Sequence, residues 1–108
     1  EMPFVPGVAT PTEIGMGIEM GLDTFKYFPA EMIGGIHYLK RVNAPYAHKN
    51  IQFIPLGGIT ASKINEYTQE PFILALGGSW ISDKEIIKTK DWQQITENAL
   101  LAKASIAV

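Results

Sequence analysis

Four short apolar runs, each closed by glycine or proline and each followed by helix-starting chemistry, restrict this chain to one fold class. They are Phe4-Val5, Thr24 to Phe28, Ile51 to Leu56 and Phe72 to Leu76. Runs of this length are too brief for helices, and their nearly continuous apolar character marks strands of a parallel sheet covered by helices. An α/β fold of four strand-helix units is expected. Such units fit an open doubly wound sheet or half of an eight-stranded barrel. Two features favour the barrel: every candidate ligand motif follows the carboxyl end of a strand, and glycine loops after the last two strands are a barrel habit. Four strands cannot close a cylinder alone. Residues 1–108 are therefore expected to form the C-terminal half, the last four βα units, of a single (βα)8 TIM barrel domain, completed by upstream sequence or another chain.

Helix boundaries are written locally. Thr10-Pro11-Thr12-Glu13 combines a capping box with proline at the first helical position. Ile14 and Ile18, widened by Met16 and Met20, form the apolar stripe, and Gly21 suits a left-handed C-cap. After a flexible Glu31-Met32-Ile33-Gly34-Gly35 stretch, Ile36, Leu39 and Val42 share a helical face. His37 lies off that face, and His48 falls in a polar loop from Ala44 to Asn50. Thr60 is placed to cap a third helix. Ser82-Asp83-Lys84-Glu85 is a further capping box, and Asp91 can cap a last helix whose Trp92, Ile95, Ala99, Ala102 and Ile106 predict an outer wall.

Composition narrows the function. A net charge of −2 with no basic run argues against nucleic acid or an anionic membrane as partner, leaving small molecules or other subunits. Without cysteine there is neither a disulfide framework nor a thiolate metal site, a composition that fits the cytoplasm. No apolar run approaches the roughly 20 residues that span a bilayer. Glu1-Met2-Pro3-Phe4 lacks the basic flank and apolar core of a secretion signal.

The second run contains a lysine, Lys26, among aromatic residues. Strand alternation puts Thr24, Lys26 and Phe28 on one face and Phe25 and Tyr27 on the other, and Pro29 ends the strand just beyond. A lysine held in low dielectric favours its neutral form, and a neutral amine condenses with a ketone or aldehyde to a Schiff base. The competing reading is a gatekeeper lysine on an edge strand, with its ammonium in water. The company of the strand decides between them. Leu56 is followed at once by Gly57-Gly58, and Leu76 by Gly77-Gly78-Ser79. Glycines let backbone amides approach a ligand closely, and a following helix N-terminus favours an anion such as phosphate.

These motifs together resemble the 2-keto-3-deoxy-6-phosphogluconate/4-hydroxy-2-oxoglutarate aldolase family, class I Schiff-base aldolases on a (βα)8 barrel. The resemblance rests on Pro6-Gly7-Val8-Ala9-Thr10 with Glu13, Phe25-Lys26-Tyr27-Phe28-Pro29-Ala30-Glu31, Leu56-Gly57-Gly58-Ile59 and Gly77-Gly78-Ser79-Trp80. It covers essentially the whole chain, aligned to the family's last four units. It implies Lys26 as the Schiff-base lysine, Phe28 and Leu56 against the substrate, and Gly57, Gly58, Gly78 and Ser79 at the phosphate. It implies a 2-keto acid substrate, pyruvate as product, no metal or organic cofactor, and a homotrimer. The family usually has threonine where Leu56 stands, a hydroxyl that contacts substrate. Its general-base glutamate, and an arginine and threonine that grip the substrate carboxylate, lie on the first half of the barrel. The alternative expectation is accordingly a non-catalytic, phosphate-binding half-barrel. A third is another Schiff-base or phosphate-barrel enzyme with a different substrate.

Overall fold

The computed structural model describes residues 2–106. Three strands, β1 (Gly7–Val8), β2 (Thr24–Tyr27) and β3 (Gln52–Pro55), form a parallel sheet in the order β1-β2-β3. Gly7 pairs with Lys26, and Phe25 with Phe53. Burial alternates along β2 and β3. Phe25, Tyr27 and Phe53 are buried, while Thr24, Lys26, Gln52 and Ile54 are half-buried on the opposite face.

The fourth apolar run joins the sheet only in part. Phe72 O accepts from Phe53 N at 2.8 Å and Leu74 N donates to Phe53 O at 2.9 Å, a single parallel bridge centred on Ile73. Two residues further along β3 the next donor would be the amide of Pro55, which has no N–H to give. The ladder stops there, and Gly77 N reaches Pro55 O at 3.0 Å instead. The run is thus an extended segment beside β3 and not a full strand.

Helix α1 (Pro11–Glu19) starts at the expected box: Thr10 Oγ1 accepts from Glu13 N, and Glu13 Oε1 accepts from Ala9 N and Thr10 N. The Ala9 amide foremost, then the Thr10 hydroxyl and amide, hold the Glu13 carboxyl below the usual range. The helix closes at Met20, and Gly21 follows at φ 82°, the left-handed conformation a C-terminal glycine supplies. Helix α2 (Gly35–Asn43) buries Ile36, Leu39 and Val42. Together with Ile14 and, from α3 (Ile64–Thr68), Tyr67, these side chains cover Phe25, Tyr27 and Phe53 in one core. Each such aromatic or aliphatic side chain withdrawn from water contributes about 1.5–3 kcal/mol. The layers approach closely at Gly17, where a Cβ would stand 2.2 Å from the Phe25 ring.

Several boundaries differ from expectation. The first strand is Gly7–Val8, beyond the Phe4-Val5 run, whose side chains are exposed instead of buried. Ala44–Lys49 winds into a 3-10 turn where the sequence reads as a loop. Thr60 does not cap an α-helix. Its hydroxyl meets Ser62 Oγ at 3.1 Å, and a 3-10 turn (Ala61–Lys63) precedes α3. At α4 (Lys84–Lys88) the N-cap is Asp83, accepting from Ile86 N at 3.0 Å, because Ser82 is spent ending the 3-10 turn Ser79–Ser82. Helix α5 (Trp92–Ala104) is capped by Asp91 as its sequence predicts, yet it buries no residue fully, and Trp92 is 56% exposed. Its contacts are with α4 and with the turn at 79–82, where Asn98 Nδ2 donates to Ile81 O at 3.1 Å.

Candidate active site

The carboxyl ends of β2 and β3 and the segment beside them open onto one cleft of about 410 Å³. Lys26 and Phe28 come from β2, Leu56, Gly57 and Gly58 from the loop after β3, and Gly77, Gly78 and Ser79 from the end of the extended segment. Every site residue expected from sequence therefore faces the same space. Lys26 is half-buried on the sheet face away from the helices, and its Nζ lies 4.7 Å from the centroid of the Phe28 ring.

Local folding explains why glycine stands at 57 and 58. Both adopt positive φ, 105° and 74°, where a side chain is strained. Space is closed as well: a Cβ on Gly57 would lie 2.9 Å from Pro29 Cα and 3.1 Å from Ala30 N, and one on Gly58 would lie 3.0 Å from Glu31 Cβ. The loop after the lysine strand thus presses directly on the glycine pair, and Ala30 N→Leu56 O (2.8 Å) and Glu31 N→Gly57 O (3.0 Å) bolt the two together. Gly78 answers to a different constraint, since its backbone is extended and the Trp80 ring fills the place of a Cβ. Gly77 is overlain by Leu56, whose Cδ2 stands 2.5 Å from the position a Cβ would take.

The expected helix N-terminus behind each glycine pair is reduced to a 3-10 turn in both cases. Anion binding would accordingly fall to the backbone amides of the loops and to Ser79 more than to a helix dipole.

Sequence reasoning gave no role to Glu31, and it missed Tyr67. Tyr67, fully buried on α3, donates its hydroxyl to Glu31 Oε2 at 2.5 Å, and Lys63 Nζ stands 3.7 Å from Glu31 Oε1. Burial, reinforced by that carboxylate, pushes the Tyr67 phenol well above its usual range. Tyr27 donates to Gly35 O at 2.8 Å, and burial likewise raises its phenol, with Tyr38 and Glu31 adding to the effect. A signal existed in the spacing of Ile64 and Tyr67, which marks Tyr67 as inward-facing, but nothing local names a carboxylate 36 residues away as its partner.

His37 is exposed, with Nε2 3.7 Å from Glu66 Oε1, and His48 is exposed on the 44–49 turn. Among the described residues no three His, Cys, Asp or Glu side chains gather as a metal-ligand set, and no helix is long and apolar enough to cross a membrane.

Comparison with known proteins meets this geometry. A family model described as KDPG and KHG aldolase matches residues 1–98. The 2-dehydro-3-deoxy-phosphogluconate aldolase of Haemophilus influenzae is 41% identical over 93 residues, 86% of this chain and 43% of that protein. A crystal structure of KDPG aldolase from Legionella pneumophila, with pyruvate captured as a covalent carbinolamine intermediate, superposes with a TM-score of 0.85 at 39% identity, covering 99% of this chain and 50% of that one. The Zymomonas mobilis 2-keto-3-deoxy-6-phosphogluconate aldolase with 3-phosphoglycerate gives 0.80 at 38% identity, over 95% and 49%. The chain spans about half the length of the relatives it matches.

Proposed function

Since this chain belongs to the KDPG and KHG aldolase family, we propose that it carries the Schiff-base lysine and anion cradle of a class I aldolase, as the last four βα units of a (βα)8 barrel. The substrate is a 2-keto-4-hydroxy acid, 2-keto-3-deoxy-6-phosphogluconate or 4-hydroxy-2-oxoglutarate. The products are pyruvate and glyceraldehyde 3-phosphate or glyoxylate. The observation that carries this reading is the shared cleft, in which the Lys26 side chain and the two glycine loops face one another.

Lys26 Nζ adds to the C2 ketone, and the carbinolamine loses water to become an iminium. The C3–C4 bond breaks with its electron pair moving into the iminium, which leaves an enamine, while the C4 hydroxyl passes its proton to the general-base glutamate that the family carries on the first half of the barrel and becomes the aldehyde. Protonation of the enamine at C3 and hydrolysis release pyruvate and the free amine. Phe28 offers its ring to the cationic nitrogen, and the amides around Gly57, Gly58 and Gly78, with the Ser79 hydroxyl, receive the distal anion. The pyruvate carbinolamine of the Legionella relative supports the lysine chemistry, and the 3-phosphoglycerate of the Zymomonas relative supports an anionic tail. The same reading has the assembled enzyme as a cytoplasmic homotrimer.

The test is borohydride reduction in the presence of pyruvate, followed by mass spectrometry of the intact protein. A reduced pyruvate adduct on Lys26 is expected, and its absence sinks the proposal.

One observation favours the second reading, a phosphate-binding half-barrel without turnover of its own. Glu31, the carboxylate next to the lysine strand, is occupied by Tyr67 and Lys63 and so is poorly placed to take the C4 proton. Cleavage of a 2-keto-4-hydroxy acid by residues 1–108 alone would rule that reading out.

A further inference from the structure

Gly57 and Gly58 have no side chains with which to hold themselves, so the direction of their amides depends on what presses on them from behind. Behind Gly57 stand Pro29 and Ala30, and behind Gly58 stands the stem of Glu31. The Glu31 backbone donates to Gly57 O at 3.0 Å, so one residue touches both halves of the pair. Its carboxylate is fixed in turn. Oε2 accepts from the fully buried Tyr67 hydroxyl on α3, and Oε1 faces Lys63 Nζ at 3.7 Å. A hydrogen bond to an ionised acceptor is short and directional, and a hydroxyl sealed from water has no substitute partner if the carboxylate leaves. The result is a post running from the core of the domain to the underside of the glycine loop, beside the lysine strand and outside the chemistry.

We propose that Glu31, clamped by Tyr67, is a positioning residue that holds the Gly57–Gly58 loop at a set distance from Lys26 and so determines affinity for the anionic end of the substrate. This inference rests on the aldolase reading of the cleft. It assigns to Glu31 no proton transfer and no contact with the reacting carbons.

The experiment uses the intact protein with Glu31→Ala, Tyr67→Phe and Glu31→Gln. Three readouts separate the ends of the substrate. Borohydride trapping of pyruvate reports on Lys26 alone, because pyruvate has no distal anion. Cleavage of 2-keto-3-deoxy-6-phosphogluconate engages both ends, and inorganic phosphate binding by calorimetry reports on the cradle alone. Glu31→Ala and Tyr67→Phe are expected to raise KM and weaken phosphate binding by about tenfold, the scale of one charge-assisted hydrogen bond. Under these conditions kcat and the pyruvate trapping rate stay within about twofold, below the scale of a single hydrogen bond. Glu31→Gln, whose amide oxygen can still accept from Tyr67, restores most of the affinity. Parallel loss of trapping and phosphate binding would reduce the pair to a structural prop and overturn the inference, as would unchanged KM and phosphate affinity in all three variants. Failure of the unmodified protein to form any pyruvate adduct would instead overturn the aldolase reading.

Discussion

The amine of Lys26 lies 4.7 Å from the centre of the Phe28 ring, two residues further along the same strand end. The amine rests on an aromatic surface supplied by its own segment, and that surface is 48% exposed, so a ligand can share it. A cationic iminium formed at Lys26 would meet the negative face of the ring. Replacing Phe28 with alanine removes a contact of about 0.5–2 kcal/mol and should lower kcat/KM for cleavage by roughly twofold to thirtyfold. Phe28→Trp should retain most of the activity. Steady-state kinetics on the two variants checks both statements.

Gly57→Ala should be far more damaging than its one added methyl implies. The residue sits at φ 105°, and the new Cβ would press on the Pro29 and Ala30 backbone, which cannot rotate aside as a side chain can. A loss of about 1–3 kcal/mol in urea unfolding is expected from backbone strain of this kind. Phosphate affinity should fall with it.

Buried Gly17 and exposed Gly7 make a contrasting pair for substitution by alanine. At Gly17 the added carbon overlaps the Phe25 ring, whereas at Gly7 nothing lies within 4 Å. Overpacking should cost Gly17→Ala about 1–3 kcal/mol. Gly7→Ala should stay within about 0.5 kcal/mol of the parent. Thermal unfolding of the two distinguishes contact from conformational preference, since neither glycine needs a positive φ.

Alkaline pH should weaken the fold through its buried phenols. Tyr67 is raised by burial and then by Glu31, and Tyr27 by burial and then by Tyr38 and Glu31. The unfolded chain releases these protons near pH ~10. Above that pH the folded state binds more protons than the unfolded state, so stability falls as pH rises, and the full contribution is present only below it. The urea midpoint should hold steady to about pH 9 and decline from about pH 10 upward. Tyr67→Phe should start lower and decline less steeply.

The readable part of the fold was the part encoded by neighbours in sequence. Thr10 with Glu13, Gly21 and Asp91 each act within one helical turn, and each does what its residue type predicts. The cluster at the strand ends was legible for a related reason: in a parallel sheet, residues closing successive strands fall on one side whatever the details. Long-range effects were hidden. Pro55 looks like an ordinary strand terminator, yet in the sheet it withholds the one amide that the fourth run needs. Ser82 and Asp83 compete for one helix start, and which of them wins depends on the 3-10 turn before it. The stripe of α5 predicts a wall, but the helix meets chiefly the 79–82 turn and α4 and buries no residue fully. The Tyr67 to Glu31 bond joins residues whose local patterns say nothing about each other.

The two backbone bonds from Ala30 and Glu31 to Leu56 and Gly57, with Pro29 against Gly57, tie the strand bearing the amine to the neighbouring loop, and the clamp of Glu31 by Tyr67 braces that joint from behind. On the aldolase reading, that joint would work as a ruler between the amine and the anion cradle. Molecules whose carbonyl and charged tail match its span would then be admitted, and longer or shorter ones would be turned away. New specificities in such a scaffold should arise from the far jaw at Gly77 to Trp80, which can be remodelled without recalibrating the ruler.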